Sequence, residues 1–320
     1  MSTQVAGPSA TAPGRAPAPT PGRGGTRAGR ENRDGLTMVL PTAVLVVAVV
    51  VVPLLWNIVL AFQQLTLVDI RDAGIFQNAT LENFRRVFTG PGFWSSILTT
   101  VVYSVLSTAG SILLGLLVAL ALRRPFRGRA VVRAVLLLPY VAPVVAVAFV
   151  WQVMLNPQYG VLNVWGQQLL GWDRPIDFLG RSPYALATVI AFEIWRYFPF
   201  ALLFLSARLV AVPRELEEAA VVDGASLLQR YRYVVLPQLL PVIALLSVLR
   251  LIMTFNKFDD VFLLTGGGAG TQVAAVRVYD TLTSRFDVGG AAAQALVLAA
   301  FLGVALFVYV RFFVRREVQA

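Results

Sequence analysis

Six apolar runs, each at least about twenty residues long, decide what this chain can become. They lie near Met38–Phe62, Ile97–Leu122, Val131–Leu155, Tyr184–Leu209, Leu239–Leu264 and Ala291–Phe313. About 20 helical residues cross the ~30 Å hydrocarbon core of a bilayer. Inside that core every backbone N–H and C=O must find its partner within the protein, which leaves helices for runs of this length. The chain is 57% hydrophobic and 14% charged, with mean hydropathy +0.71, as in a polytopic membrane protein rather than a soluble one. The expected fold is all-α, with six transmembrane helices.

Six crossings put both termini on one side. The N-terminal tail carries Arg15, Arg23, Arg27, Arg30 and Arg33, and the loop after the second run carries Arg123, Arg124, Arg127, Arg129 and Arg133. Arg208, Arg214, Arg230 and Arg232 follow on the same face, then Arg311, Arg315 and Arg316. The opposite loops hold only Arg71, Arg85, Arg86, Arg174, Arg181, Arg277 and Arg285. The positive-inside rule makes the richer face, with both termini, cytoplasmic. The net charge of +10 then reads as orientation in a bilayer, and no nucleic-acid partner is expected.

Residues 1–35 are rich in Pro, Ala, Gly, Thr and Arg and read as a disordered cytoplasmic tail, leaving 36–320 as the transmembrane domain. A signal peptide does not fit, because the first apolar run starts late, is long, and has no small-residue cleavage site after it. Leu81, Phe84, Val87 and Phe88 share one helical face within Leu81–Phe93. That segment reads as an interfacial helix or, equally, as a loop helix packed on its own bundle.

Several chemistries are excluded. There is no Cys and no His, which removes disulfides, zinc or haem sites built on those residues, and Ser-His-Asp or Cys-His nucleophiles. The single lysine, Lys257, is followed by Phe258, so there is no P-loop. The run Gly266-Gly267-Gly268-Ala269-Gly270 lacks the lysine and helix start of a nucleotide fingerprint. No cofactor is expected.

A polar insert, residues 211–241, separates the fourth and fifth runs. Pro213 suits a first helical position, and Glu215, Glu217 and Glu218 load the positive end of the helix dipole. Gly224 is a natural helix stop, and Ser226 with Gln229 reads as a capping box opening a second helix that Pro237 ends or kinks. Glu215 and Glu217 read as ordinary solvated charges. A helix–Gly–helix loop on the cytoplasmic face of a membrane protein is shaped to be gripped by another protein.

Charges inside apolar runs are costly and usually functional. Glu193 and Arg196 lie at i, i+3 and are placed to pair on one helical face. Trp195, Tyr197 and Phe200 are close by; aromatic faces stack well on sugar rings, but aromatics near a span end more often form the interfacial belt or pack in the bundle. Arg250 is followed by Asn256, Lys257, Asp259 and Asp260, the densest polar stretch in any run. Glu193, Trp195, Arg196, Arg250, Asn256 and Asp259 are the candidate substrate-pathway residues, since a polyol needs both donors and acceptors. Lys257 and Asp260 read as residues of the external mouth, and Trp151, Gln152 and Asn156 as weaker candidates. Pro139, Pro143, Pro199 and Pro241 allow the bending an alternating-access gate needs, and equally the kinks of a static bundle.

The string Glu218-Ala219-Ala220, Asp223-Gly224-Ala225-Ser226, Gln229 and Leu236-Pro237 resembles the cytoplasmic EAA loop of the permease subunits of ATP-binding-cassette importers, in the sugar-type branch. The likeness extends to Leu81-Glu82-Asn83-Phe84, Leu138-Pro139 with Pro143, Trp195-Arg196 with Pro199-Phe200, and Phe258-Asp259 through Leu264-Thr265-Gly266-Gly267. Ala269 departs from it, standing where relatives often carry proline. The resemblance implies the type I importer permease fold in a bacterial cytoplasmic membrane. It implies that Glu218, Ala219, Ala220, Asp223 and Gly224 belong to a coupling helix docking into one of two separate ATPase subunits. It also implies a second permease, expected to be a paralogue, an extracytoplasmic solute-binding protein and a small sugar as cargo. A phosphorylated polyol is the alternative cargo. A proton-coupled secondary transporter acting through Glu193 or Asp259 is the alternative mechanism.

Overall fold

The computed structural model describes residues 38–72, 74 and 79–311; the N-terminal tail, Phe313, Arg315 and Arg316 lie outside these residues. Among the described residues no β-ladder forms, only an isolated bridge between Thr66 and Asp287. Contacts divide the chain into two units, Met1–Leu55 and Trp56–Ala320. The described part of the first is helical, lies within the span α1, Met38–Ala61, and widens to a π-helix at Val47–Val51.

The second unit takes in the end of α1 from Trp56 and continues to a short helix α2, Glu82–Thr89, followed by the span α3, Phe93–Ala121. The third run is two helices, α4 (Arg129–Val141) and α5 (Val144–Met154), bent by 95°. A short α6, Val161–Leu169, precedes the span α7, Tyr184–Val210. Beyond it come α8 (Arg214–Val222), the span α9 (Leu227–Phe255), the short α10 (Asp259–Thr265) and α11 (Ala274–Thr283), and the span α12 (Val288–Tyr309).

The centre of the fold is α3 against α7. Thr100, Ser104, Ser107, Ser111, Gly115 and Ala119 are buried at helical spacing, a stripe of small residues that lets two backbones approach. Gly115 is the tightest point: a Cβ there would stand 2.7 Å from Ala201 Cβ and 2.9 Å from the Leu202 amide nitrogen and the Phe198 carbonyl oxygen. Without a hydrophobic drive between helices in lipid, such close packing is what holds them.

Two spans differ from the expected continuous helices. The third breaks at Ala142-Pro143, where proline brings no N–H to continue the ladder and Ala142 turns extended. The fifth starts earlier, at Leu227, and stops at Phe255, where Asn256, Lys257 and Phe258 interrupt it. Asp259 and Asp260 then open α10 at the end where a helix dipole favours carboxylates. Pro237 does not end its helix. A π-helical turn over Tyr231–Val235 precedes it, and the chain continues helical to Phe255. Widening the turn changes the register of donors just before a residue that has none.

The helix expected over Leu81–Phe93 is shorter and packs on the protein. Asn83 and Val87 are buried, and Leu81 and Phe88 are exposed. Asn83 Nδ2 donates to the carbonyls of Ala61 (2.9 Å) and Gln63 (2.7 Å), tying α2 beneath the chain leaving α1. Ala269 has φ 51°, a left-handed value closed to proline, so a proline at this position could not follow the course the loop takes.

Candidate docking loop and intramembrane polar cluster

The polar insert forms two helices joined by a tight turn, as its residues dictate locally. Pro213 is the N-cap residue of α8, one position before the expected one. At the far end Gly224 adopts φ 79°. Its N–H donates to Val221 O (3.0 Å), and the Ala225 N–H donates to Ala220 O (2.9 Å). These two bonds make a Schellman motif, which satisfies the last carbonyls of α8. A Cβ at Gly224 would meet nothing within 4 Å, so the requirement for glycine there is conformational, not steric. Ser226 and Gln229 form the full capping box that opens α9.

The turn presents its chemistry outward. Glu218, Ala219, Asp223 and Gly224 are exposed and Ala220 is half-buried, with Leu216, Val222 and Leu228 exposed around them. Glu217 is not the solvated charge expected. Both its carboxylate oxygens accept from the Arg123 guanidinium, one at 2.8 Å, and the two side chains are only about a fifth exposed. This bidentate pair joins α8 to the loop after α3, a partner 94 positions away in sequence that no local spacing announces.

The intramembrane charges converge on one place. The expected Glu193–Arg196 pair does not form. Glu193 Oε1 instead accepts from Arg250 Nη2 at 2.8 Å, with both residues fully buried. Arg196 points to two other elements: Nη1 donates to Ala142 O (3.3 Å), the carbonyl at the break of the third span, and Nε lies 4.0 Å from Asp260 Oδ1. Lys257 Nζ stands 3.3 Å from Asp259 and 3.5 Å from Asp260 and donates to the Tyr197 hydroxyl. The Tyr197 ring faces three cations, with Arg250 at 4.2 Å, Lys257 at 4.6 Å and Arg196 at 5.7 Å from its centroid. Three cations therefore face three carboxylates, and the breaks of both interrupted spans are stitched to α7.

Of the six candidate pathway residues, Glu193, Arg196 and Arg250 lie inside this cluster. Asn256 and Asp259 lie at its rim, with Asn256 exposed and the Asp259 side chain 43% exposed. Trp195 packs its ring on Trp151 (5.5 Å between centroids) and Phe192 (6.3 Å), so its faces serve the bundle. Gln152 donates to Leu263 O (2.7 Å) and Asn156 caps a turn at Gln158 and Tyr159. Asp260, assigned to the external mouth from its position, is fully buried at the centre. Its place was concealed because the helix break at Asn256 turns it inward.

At the end opposite the docking loop, α2, α11 and the start of α12 meet. Arg86 pairs with Asp287 (3.2 Å) and Arg277 donates to Pro91 O (2.7 Å). The hydrogen bond from Arg85 holds the Glu82 carboxyl below its ordinary pKa. Burial, then the neighbouring Arg285, lowers the Arg277 guanidinium below its own ordinary value.

The family profile described as binding-protein-dependent transport system inner membrane component matches residues 111–319. The chain is 36% identical over 267 residues to the inner membrane ABC transporter permease protein YcjO of Escherichia coli (strain K12), covering 82% of this chain and 88% of that one. It is 33% identical over 247 residues to the trehalose/maltose transport system permease protein MalF of Thermococcus litoralis, covering 77% and 82%. A chain of the bacterial alginate ABC transporter, solved in complex with alginate pentasaccharide-bound periplasmic protein, shares its fold at TM-score 0.79 and 23% identity, covering 91% of this chain and 97% of that one.

Proposed function

The chain belongs to the binding-protein-dependent transport system inner membrane components, the permease subunits of ATP-binding-cassette transporters, and from that premise we propose that it forms half of a pore for carbohydrate uptake. It is a multi-pass inner-membrane transport subunit and not an enzyme, ATP hydrolysis belonging to separate subunits. Its arginine-rich face, carrying α8, is cytoplasmic by the positive-inside rule. The observation that carries the reading is the Schellman–capping-box turn, with Glu218 and Gly224 exposed at its tip and Arg123 bracing it from behind. There Glu218, Ala219, Ala220, Asp223 and Gly224 meet an ATPase subunit. Glu218 faces a basic group on that partner, and the exposed Leu216 and Val222 supply apolar contact. Closure of two ATPases pulls the turn, and with it α9, which runs unbroken from the turn into the membrane.

The cargo reading rests on charge balance. Arg196, Arg250 and Lys257 are faced by Glu193, Asp259 and Asp260, so the cluster offers no surplus cation for a phosphorylated solute. A neutral polyol suits the rim, where Asn256 and Asp259 offer a donor and an acceptor. Glu193, Arg196 and Arg250 then act as positioning residues that hold that rim. Carbohydrate cargo is also the business of the Thermococcus relative, by its name. The test is ATP-dependent uptake by the complex purified through this chain, reconstituted with its binding protein and offered labelled di- and monosaccharides beside glycerol phosphate. Saturable sugar uptake that needs ATP is expected. Uptake of the phosphate ester alone, or uptake driven by a proton gradient without ATP, refutes the reading.

A further inference from the structure

A cavity of about 180 Å³ lies between the arginine-rich ends of α3, α4 and α7, lined by Arg123, Arg129, Arg133 and Arg214 beside Ser206 and Leu209. No carboxylate lines it. Among the described residues only Arg123 of the four has a carboxylate partner, Glu217 on α8. The Arg129 Nε is buried without a hydrogen-bond partner. Arg129 also opens α4, whose N-cap, Gly128, supplies no capping side chain and whose first turn holds no acidic residue. A guanidinium at the positive end of a helix opposes the dipole, and uncapped N–H groups there want an acceptor. A compact anion with several oxygens in the cavity offsets the four guanidinium charges and the unfavourable placement of Arg129 at the positive end of α4.

We propose that this cavity is a phosphate-group site, filled by the headgroup of an anionic phospholipid of the cytoplasmic leaflet. Its level in the membrane favours that source over free phosphate. Ala119 and Leu209 belong to the last turns of two spans, and Val131 and Val135, each two residues on from Arg129 and Arg133 in α4, stand 67% and 56% exposed, as a lipid-facing surface does. Basic pockets between spans on the cytoplasmic side bind anionic headgroups on this principle. Arg214 is the first residue of α8, and Arg123 clamps Glu217, so the bound phosphate fastens the docking helix to the ends of α3 and α4. The lipid is thereby a structural ligand of the coupling element.

The experiment is native mass spectrometry of the full complex, titrated with phosphatidylglycerol against phosphatidylcholine, for wild type, R129Q/R133Q, R129K/R133K and the exposed control R127Q. We expect one retained phosphatidylglycerol per permease, with affinity reduced roughly thirtyfold in R129Q/R133Q. It stays within a few-fold of wild type in R129K/R133K and R127Q. Displacement of the lipid by excess inorganic phosphate supports the phosphate chemistry and assigns the source to the free ion. Equal phosphatidylglycerol binding by wild type and R129Q/R133Q, with the complex intact in both, overturns the proposal. So does loss of the ATPase, with no change in lipid, which makes the cavity a contact for an acidic side chain of the partner. R133Q alone gives the same reading if the double variant does not assemble.

Discussion

Breaking the Glu193–Arg250 pair one side at a time, and then on both sides together, should give opposite results. Both side chains are at most 1% exposed and their charged atoms lie 2.8 Å apart. At an effective dielectric constant of ~20, charges that close attract by roughly 6 kcal/mol, an attraction that desolvation largely offsets. Losing one partner leaves a cluster of three charges facing two, and an uncompensated buried charge costs about 3–5 kcal/mol. Glu193→Gln and Arg250→Met should each destabilise by that amount. The double variant restores the balance, with Arg196 and Lys257 facing Asp259 and Asp260, and keeps the side-chain volumes similar. It should therefore recover more than half of either loss, which with single losses of at least about 3 kcal/mol makes the interaction term about 4.5 kcal/mol or more. The assay is unfolding of the purified complex by denaturing-detergent titration, with the four proteins side by side. Additive losses in the double variant refute the reasoning. So does an Arg250→Met variant as stable as R127Q.

Gly115→Val sets a branched side chain against the backbone of α7 and should cost about 1–3 kcal/mol by overpacking, seen as a lower melting temperature of the complex. Asn256→Ala and Asp259→Asn should raise the KM for sugar uptake roughly tenfold with ATPase co-purification unchanged; melting should hold in Asn256→Ala and fall only slightly in Asp259→Asn, whose ion pair with Lys257 is partly exposed and worth at most about 1 kcal/mol. An unchanged KM in both removes them from the pathway.

Local chemistry was legible in the sequence and long-range chemistry was not. The turn at Gly224 and the Ser226–Gln229 box are built from neighbouring residues, so their pattern is their structure. The apolar runs gave the spans for the same reason. Hydropathy alone cannot see the 95° break at Ala142, because the residues on both sides are apolar and only Pro143 marks the place. The carbonyl released there is satisfied by Arg196 from another helix. The i, i+3 spacing of Glu193 and Arg196 favoured a pair on one face, but the fold offers each a better-placed partner. Arg250 reaches Glu193 from 57 residues away. Glu217 read as solvated because Arg123 lies beyond two spans in sequence. The π-turn before Pro237 was hidden because proline more often stops a helix than follows a widened one.

The measurement closest to the central claim is co-purification of the ATPase, together with ATP-driven uptake, in Glu218→Ala and Gly224→Asp. The Gly224 variant forces a Cβ-bearing residue to φ 79°, a cost of about 1–2 kcal/mol confined to the docking turn, with no steric clash to disturb the spans. Both variants should fold and reach the membrane, lose the ATPase or uncouple its hydrolysis from uptake, and leave binding-protein docking intact. Normal ATPase recovery and normal uptake in both would contradict the assignment of this turn as the coupling element.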